Sequence, residues 1–226
     1  ADGKIIVEDM FKRALVILAG NGESLSELTN WELSPPKAIV SVDTNHIAGC
    51  AIGYDMESLD LSLIFKPTLY PLDDTGRELE FFADTLIIVN ALEAPMTPTG
   101  MLGYSIMTSD QRNGRVFYAN MSTDQHEVRC WDVQGNLFFS FSLGIPPVAR
   151  TSDELLEETE YARMQFASLG LNTLPEGFEP DPLHVLVVGL GVDEDGNLWI
   201  QRGTEELSLI HISEPTRLLS ISYAVF

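Results

Sequence analysis

Apolar positions along this chain fall in short runs, alternating or continuous. Each run is bounded by a turn of acidic, amide and glycine residues. One unit recurs with variation: an acidic or amide turn, Gly, a polar residue and an apolar run. It is seen in Asp2-Gly3-Lys4-Ile5-Ile6-Val7, Asp74-Thr75-Gly76-Arg77-Glu78-Leu79, Asn113-Gly114-Arg115-Val116-Phe117-Tyr118, Gln134-Gly135-Asn136-Leu137-Phe138-Phe139 and Asp195-Gly196-Asn197-Leu198-Trp199-Ile200. Glycine after Asp or Asn supplies the positive φ that a tight hairpin needs, and the β-branched and aromatic residues that follow suit a pleated strand. Each copy predicts a hairpin.

The period is clearest where strands are expected at Tyr104–Met107, Arg115–Ala119, Glu127–Trp131 and Asn136–Phe141, with a turn at Ser122–Asp124 before the third. Residues 38–82 read as a second four-strand unit: Ala38–Val42, His46–Ile52, Leu59–Phe65 and Arg77–Phe81. Lys4–Val7, Ala14–Leu18 and the Gly20-Asn21-Gly22 turn repeat the later part of the unit over residues 104–141, and Val185–Gln201 starts another. Four-strand repeats of this period are the mark of propeller blades. The expectation is an all-β chain, a β-propeller fragment of about three four-stranded antiparallel blades, with a β-sandwich as the alternative.

One helix interrupts the strands, over about residues 151–170. Thr151 and Glu154 have capping-box spacing, and Asp153, Glu157 and Glu158 suit its N-terminal dipole. Leu155, Thr159, Ala162, Phe166 and Leu169 recur at helical intervals before Gly170. The proline-rich stretch 174–182 then brings the chain back as an extended loop.

Glu127-Val128-Arg129-Cys130-Trp131-Asp132-Val133-Gln134-Gly135-Asn136-Leu137 resembles the strand, Asp, turn, Gly, strand unit of six-bladed NHL- or TolB-like propellers. The stretch from Gly189 to Ile200 is similar to the entry strands of their blades. The resemblance implies architecture rather than chemistry, and covers residues 100–206 better than the first hundred.

The last twenty residues carry a resemblance of another kind. Leu207–Arg217 matches, residue for residue, the translation of a transposase-type sequencing adapter, and Ile221–Phe226 its flow-cell end. Leu218, Leu219 and Ser220 fill the place of a variable index. This implies an incomplete propeller domain over residues 1–206 and a non-native tail over 207–226, cut from environmental sequence, with an ordinary C-terminal strand as the alternative. Ala1-Asp2-Gly3 opens inside a turn-and-strand pattern, so the N-terminus is expected to be cut as well, and with it any signal region of an extracytoplasmic protein.

The net charge of -21 is untouched by the tail, whose Glu214 and Arg217 cancel. Such acidity repels phosphate backbones and argues against a nucleic-acid partner. The apolar runs, such as Ala14–Ala19 and Val185–Val188, are too short to span a membrane and suit buried strands. Cys50 and Cys130, each in an apolar segment, read as packing residues.

Candidate chemistry is thin. Asp193, Asp195 and Asn197 place oxygen-bearing side chains at alternate positions like the start of a calcium loop, but Leu198 stands where the Gly would be and no closing Glu follows, which favours a hairpin turn. His46, His126 and His184 lack ligand spacing and suit hydrogen-bonded structural roles. Gly20-Asn21-Gly22 lacks the Lys-Ser/Thr of a phosphate loop. Phe117, Tyr118, Trp131, Phe138, Phe139, Phe141 and Trp199 are expected mostly between stacked sheets. No catalytic or metal residue and no cofactor is assigned. The expected role is a binding or protein-interaction module with self-association through open sheet edges; the acidic helix over Asp153–Glu160 reads first as a solvated face and, in the sharper reading, as a docking surface for a basic protein or peptide. The alternative is a metal-dependent, lactonase-like hydrolase whose site is incomplete in this fragment.

Overall fold

The computed structural model describes residues 3–9, 11–29, 31, 34–55, 62–72, 79–80, 87–90, 106–119, 127–144, 146–168, 173–174, 178–203, 209–212 and 222–224. The strands are β1 (Ile5–Asp9), β2 (Ala14–Leu18), β3 (Ser24–Leu28), β4 (Lys37–Ser41), β5 (His46–Asp55), β6 (Ser62–Pro71), β7 (Leu79–Glu80), β8 (Ile87–Asn90), β9 (Ile106–Asp110), β10 (Arg115–Ala119), β11 (Glu127–Asp132) and β12 (Leu137–Ser142). After the helix α1 (Ser152–Ser168) come β13 (Gly189–Val192), β14 (Leu198–Gln201), β15 (Leu209–Ile212) and β16 (Ser222–Ala224).

Among the described residues these strands form four small antiparallel sheets. The first is β1-β2-β3; the second runs β4-β5-β6, with β7 and β8 sharing the outer edge of β6; the third is β9 to β12 and the fourth β13 to β16. The fold is mostly β, as the hydropathy pattern predicts. Tight turns join neighbouring strands because glycine takes the positive φ at the bend, as at Gly135 (φ 82) and Gly196 (φ 86). Gly22 does the same in the β2–β3 turn, where Gly22 N donates to Ala19 O at 2.8 Å.

Two strand expectations need correction. The strand predicted at 59–65 is described from Ser62 and runs on to Pro71, through Pro67. Among the described residues β8 pairs residues 62–65 of β6 and β7 pairs 68–69, and Pro67 falls between the two paired stretches. Val185–Val188 is not a strand: Leu186 and Val187 are buried, but pairing with β14 begins only as Val188 N donates to Gln201 O at 2.9 Å. Tyr104, the turns at 74–76 and 122–124, and Phe81 lie outside the described residues.

The sheets stack face to face in chain order. Leu15, Ile17 and Leu28 of the first meet Ile47 and Tyr70 of the second, and Trp31 stands edge-on to Tyr70 with centroids 5.4 Å apart. Phe117, Ala119, Val128 and Cys130 of the third, with Leu143 after it, meet Val187 and the β14 residues Leu198 and Ile200. The other face of β10 is buried too, through Val116 and Tyr118, and Tyr118 lies near Cys50 of β5. Each fully buried Ile or Val on these seams contributes about 1.5–3 kcal/mol.

The first strands of the later sheets form a row, β4 beside β9 and β9 beside β13. They run parallel. Ser109 Oγ at the end of β9 donates to Ser41 O at the end of β4 (2.5 Å), and Arg112 Nη2, just past β9, donates to Asp193 O, just past β13 (3.3 Å). β1 runs the other way: Lys4 Nζ at its start donates to Thr44 O beyond the end of β4 (3.1 Å), while Glu8 near its end pairs with Lys37 at the start of β4.

Candidate interaction surface on the helical insertion

The chain leaves the third sheet through Pro146 and Pro147 and is pinched into a neck before the helix. Ala149 and Leu183 form an antiparallel bridge; Arg150 N donates to Pro182 O at 2.9 Å and His184 N to Val148 O at 2.8 Å. The insertion thus starts and ends at one point.

The capping box forms as its spacing predicts. Thr151 N and Oγ1 donate to Glu154 Oε2 at 2.6 and 2.8 Å, and Glu154 N donates back to Thr151 Oγ1 at 3.3 Å. These bonds, led by the Thr151 backbone, hold the Glu154 carboxyl below its ordinary range. Arg150 ties helix to neck: its guanidinium pairs with Glu158 and donates to Asp181 O (3.2 Å) and Glu154 O (3.1 Å). His184 Nε2 lies 3.3 Å from Glu154 Oε1.

One face of α1 is turned inward through Ala162 and Phe166, with Leu155 and Thr159 half-buried. The outward face carries Asp153, Glu157 and Glu160. Between them stand Leu156 and Met164, 59% and 62% exposed. Five carboxylates on the helix (Asp153, Glu154, Glu157, Glu158, Glu160) face one cation, Arg163, which is engaged by Glu160 at 2.5 Å. The surface is therefore acidic and apolar at once. No described helix is long and apolar enough to cross a membrane.

The other predicted candidates lie in turns and seams. Asp193 Oδ1 accepts Asp195 N and Asn197 N at 2.9 Å each, and Oδ2 accepts Asn197 Nδ2 and Trp199 Nε1 at 2.9 Å each. The carboxylate calcium would need is occupied by four N–H donors, Asn197 presents its amide nitrogen, and Asp195 is exposed; the three side chains build a turn. Asp132 repeats the scheme, accepting Gln134 N and Asn136 N at 2.9 Å and Asn136 Nδ2 at 3.0 Å. Hydrogen bonds, led by the Asn197 side chain, hold the Asp193 carboxyl well below the usual range. Partial burial opposes ionisation of Asp132 and Asp43, but donors from Asn136, Gln134 and Gly135 to the first, and from Asn45 and His46 to the second, outweigh it and lower both.

His46 Nδ1 sits 3.0 Å from both oxygens of Asp43 inside the β4–β5 turn, and His126 lies outside the described residues. Cys50 and Cys130 are buried and in no disulfide; burial pushes the Cys130 thiol up to about 12. Of the aromatic residues expected between sheets, Phe117, Tyr118 and Trp131 are buried, and Phe139, Phe141 and Trp199 partly so. Phe138 is exposed, on the face of β12 opposite Phe139 and Phe141, and the Arg115 guanidinium stands 4.5 Å from its ring centre.

Sequence pattern predicts both turns, but not that Asp132 and Asp193 organise them. The signal was there: Asp132 and Asp193 each open an Asp-x-x-Gly-Asn-Leu run. No family model matches this chain, and no curated protein matches it. Among solved structures it is similar to a protein of unknown function from Bacteroides caccae, at 10% identity and a TM-score of 0.36, over 98% of this chain and 57% of that one. This chain thus spans little more than half the length of that protein.

Proposed function

We propose that this chain is part of a β-propeller serving as an interaction module, and that a basic protein or peptide docks on the outward face of α1. The parallel row of first strands and the face-to-face stacking of successive sheets support the propeller reading. The docking reading is carried by one observation: Leu156 and Met164 stand exposed among Asp153, Glu157 and Glu160 on a helix clamped by Arg150. Apolar anchors inside a charged rim suit a cationic amphipathic segment. Titration calorimetry with a Lys- and Leu-containing helical peptide tests it. Affinity is expected to fall with added salt and by about tenfold or more in a Leu156→Ser/Met164→Ser variant. Equal binding by the variant would refute it, and metal-stimulated lactone hydrolysis lost in Asp193→Asn would replace it with a hydrolase.

A further inference from the structure

The chain holds two Asn-Gly pairs, each in a tight turn between neighbouring strands: Asn21-Gly22 between β2 and β3, and Asn113-Gly114 between β9 and β10. Gly22 and Gly114 both take positive φ, and both asparagines are exposed. Their side chains are held differently. Asn113 Nδ2 donates to Asp110 Oδ2 at 2.6 Å, and the other oxygen of that carboxylate accepts Arg112 N at 3.1 Å. Asp110 is buried. Asn21 has its amide oxygen engaged instead: Oδ1 accepts Glu23 N at 3.0 Å. The surroundings differ too. A Cβ on Gly22 would meet nothing within 4 Å, whereas one on Gly114 would come within 3.3 Å of Val133 Cγ1.

We propose that Asn21 is a site of spontaneous deamidation, with water as the co-reactant, and that the fold protects Asn113 in the same dipeptide. Hydroxide takes the Gly22 N–H proton, and that nitrogen bonds to Asn21 Cγ. The Cγ–Nδ2 bond then breaks; the leaving nitrogen takes a proton from water, so ammonia departs and hydroxide is regenerated. Water opens the resulting five-membered imide at either carbonyl, giving aspartate or, with the main chain rerouted through Cγ, isoaspartate. Glycine suits the attacking position because no side chain shields its nitrogen. As charge builds on Asn21 Oδ1, the Glu23 N–H already points at it, as a donor does in an oxyanion hole. The attack requires Gly22 N to leave Ala19 O, 2.8 Å away, a single bond in an exposed turn that opens readily. At Asn113 the amide must instead leave a buried carboxylate, whose charge also opposes the developing oxyanion. Isoaspartate at position 21 would lengthen the main chain of the β2–β3 turn, and β3 carries Leu28 into the seam with the second sheet. None of this rests on the propeller reading or on the partner of α1.

The test is peptide mapping by mass spectrometry of the whole chain during incubation in mildly alkaline buffer, folded and in urea, with isoaspartate identified by fragmentation. In the folded chain Asn21 is expected to convert about tenfold faster than Asn113, because the bond to the Asp110 carboxylate must open first. In urea the two rates are expected to converge. Equal rates in the folded chain, or a faster Asn113, overturn the proposal; so does a gap that persists in urea, which would belong to the flanking residues and not to the fold. An Asp110→Ala variant is expected to bring Asn113 up towards the rate of Asn21 and to leave Asn21 unchanged. An unaltered Asn113 rate in that variant would remove the Asp110 bond as the source of protection and overturn the second half of the proposal.

Discussion

In the third sheet, β10 is buried on both faces, Phe117 and Ala119 against the fourth sheet and Val116 and Tyr118 on the side of the second. Among the described residues one face of the first sheet has a neighbour: Ile6, Leu15 and Ile17 pack on the second sheet, while Ile5 and Val7 look outward. Both strands are largely apolar, with Ile5, Ile6 and Val7 in β1 and Val116, Phe117, Tyr118 and Ala119 in β10. Burial here is set by whether another sheet lies alongside, so the same residue type does different work in the two places.

The sharpest break of that comparison is a pair of truncations. Ile200→Ala, in the seam between the third and fourth sheets, is expected to cost about 2–5 kcal/mol. Val7→Ala should cost less than about 1 kcal/mol. Urea melts of both check this, and equal losses would mean that the first sheet's outer face is covered.

A smaller effect is expected where backbone meets backbone. Gly203 lies against the Val185 carbonyl, and a Cβ there would come within 2.7 Å of Val188 Cγ1. Gly203→Ala should cost about 1–3 kcal/mol by forcing the segment after the neck away from the end of β14. The same change at Gly191, where a Cβ meets nothing within 4 Å, is the control.

Acid should then loosen the turns. Asp193, Asp132 and Asp43 have folded pKa values below their unfolded ones. Their contribution is fully present above the unfolded value of about 4 and is lost as pH falls through the folded values. Melting temperature should therefore drop below about pH 4, and less steeply in Asp193→Asn; an unchanged slope in that variant would remove Asp193 from the account. The smallest effect is expected from deleting residues 207–226. Strands β15 and β16 are drawn from them, yet an open edge accepts almost any β-prone segment. Deletion should leave stability within about 0.5 kcal/mol or raise it, and a clear fall in melting temperature would make these strands integral to the fourth sheet.

What could be read from residue order was local. Ala14–Leu18 is a strand with the predicted bounds, and β10 is Arg115–Ala119 as predicted, because turn chemistry and a short apolar run both act within a few residues. The capping box and inward face of α1 follow from spacing for the same reason. Val185–Val188 misled because a buried apolar run can be irregular when its polar backbone finds partners elsewhere. The outward face of α1 was visible only as acidity; that Leu156 and Met164 are exposed within it is a tertiary fact.

The two cysteines give the molecule a pair of internal clocks. Cys130 closes the seam between the third and fourth sheets, and Cys50 lies by Tyr118 on the other side of the third. A buried thiol held at about 12 does not react with an alkylating reagent until its surroundings part. The labelling rate of Cys130 therefore times the opening of one seam and that of Cys50 the opening of another. Equal rates would mean the sheets separate in one concerted event; unequal rates would rank the seams by how often each breathes.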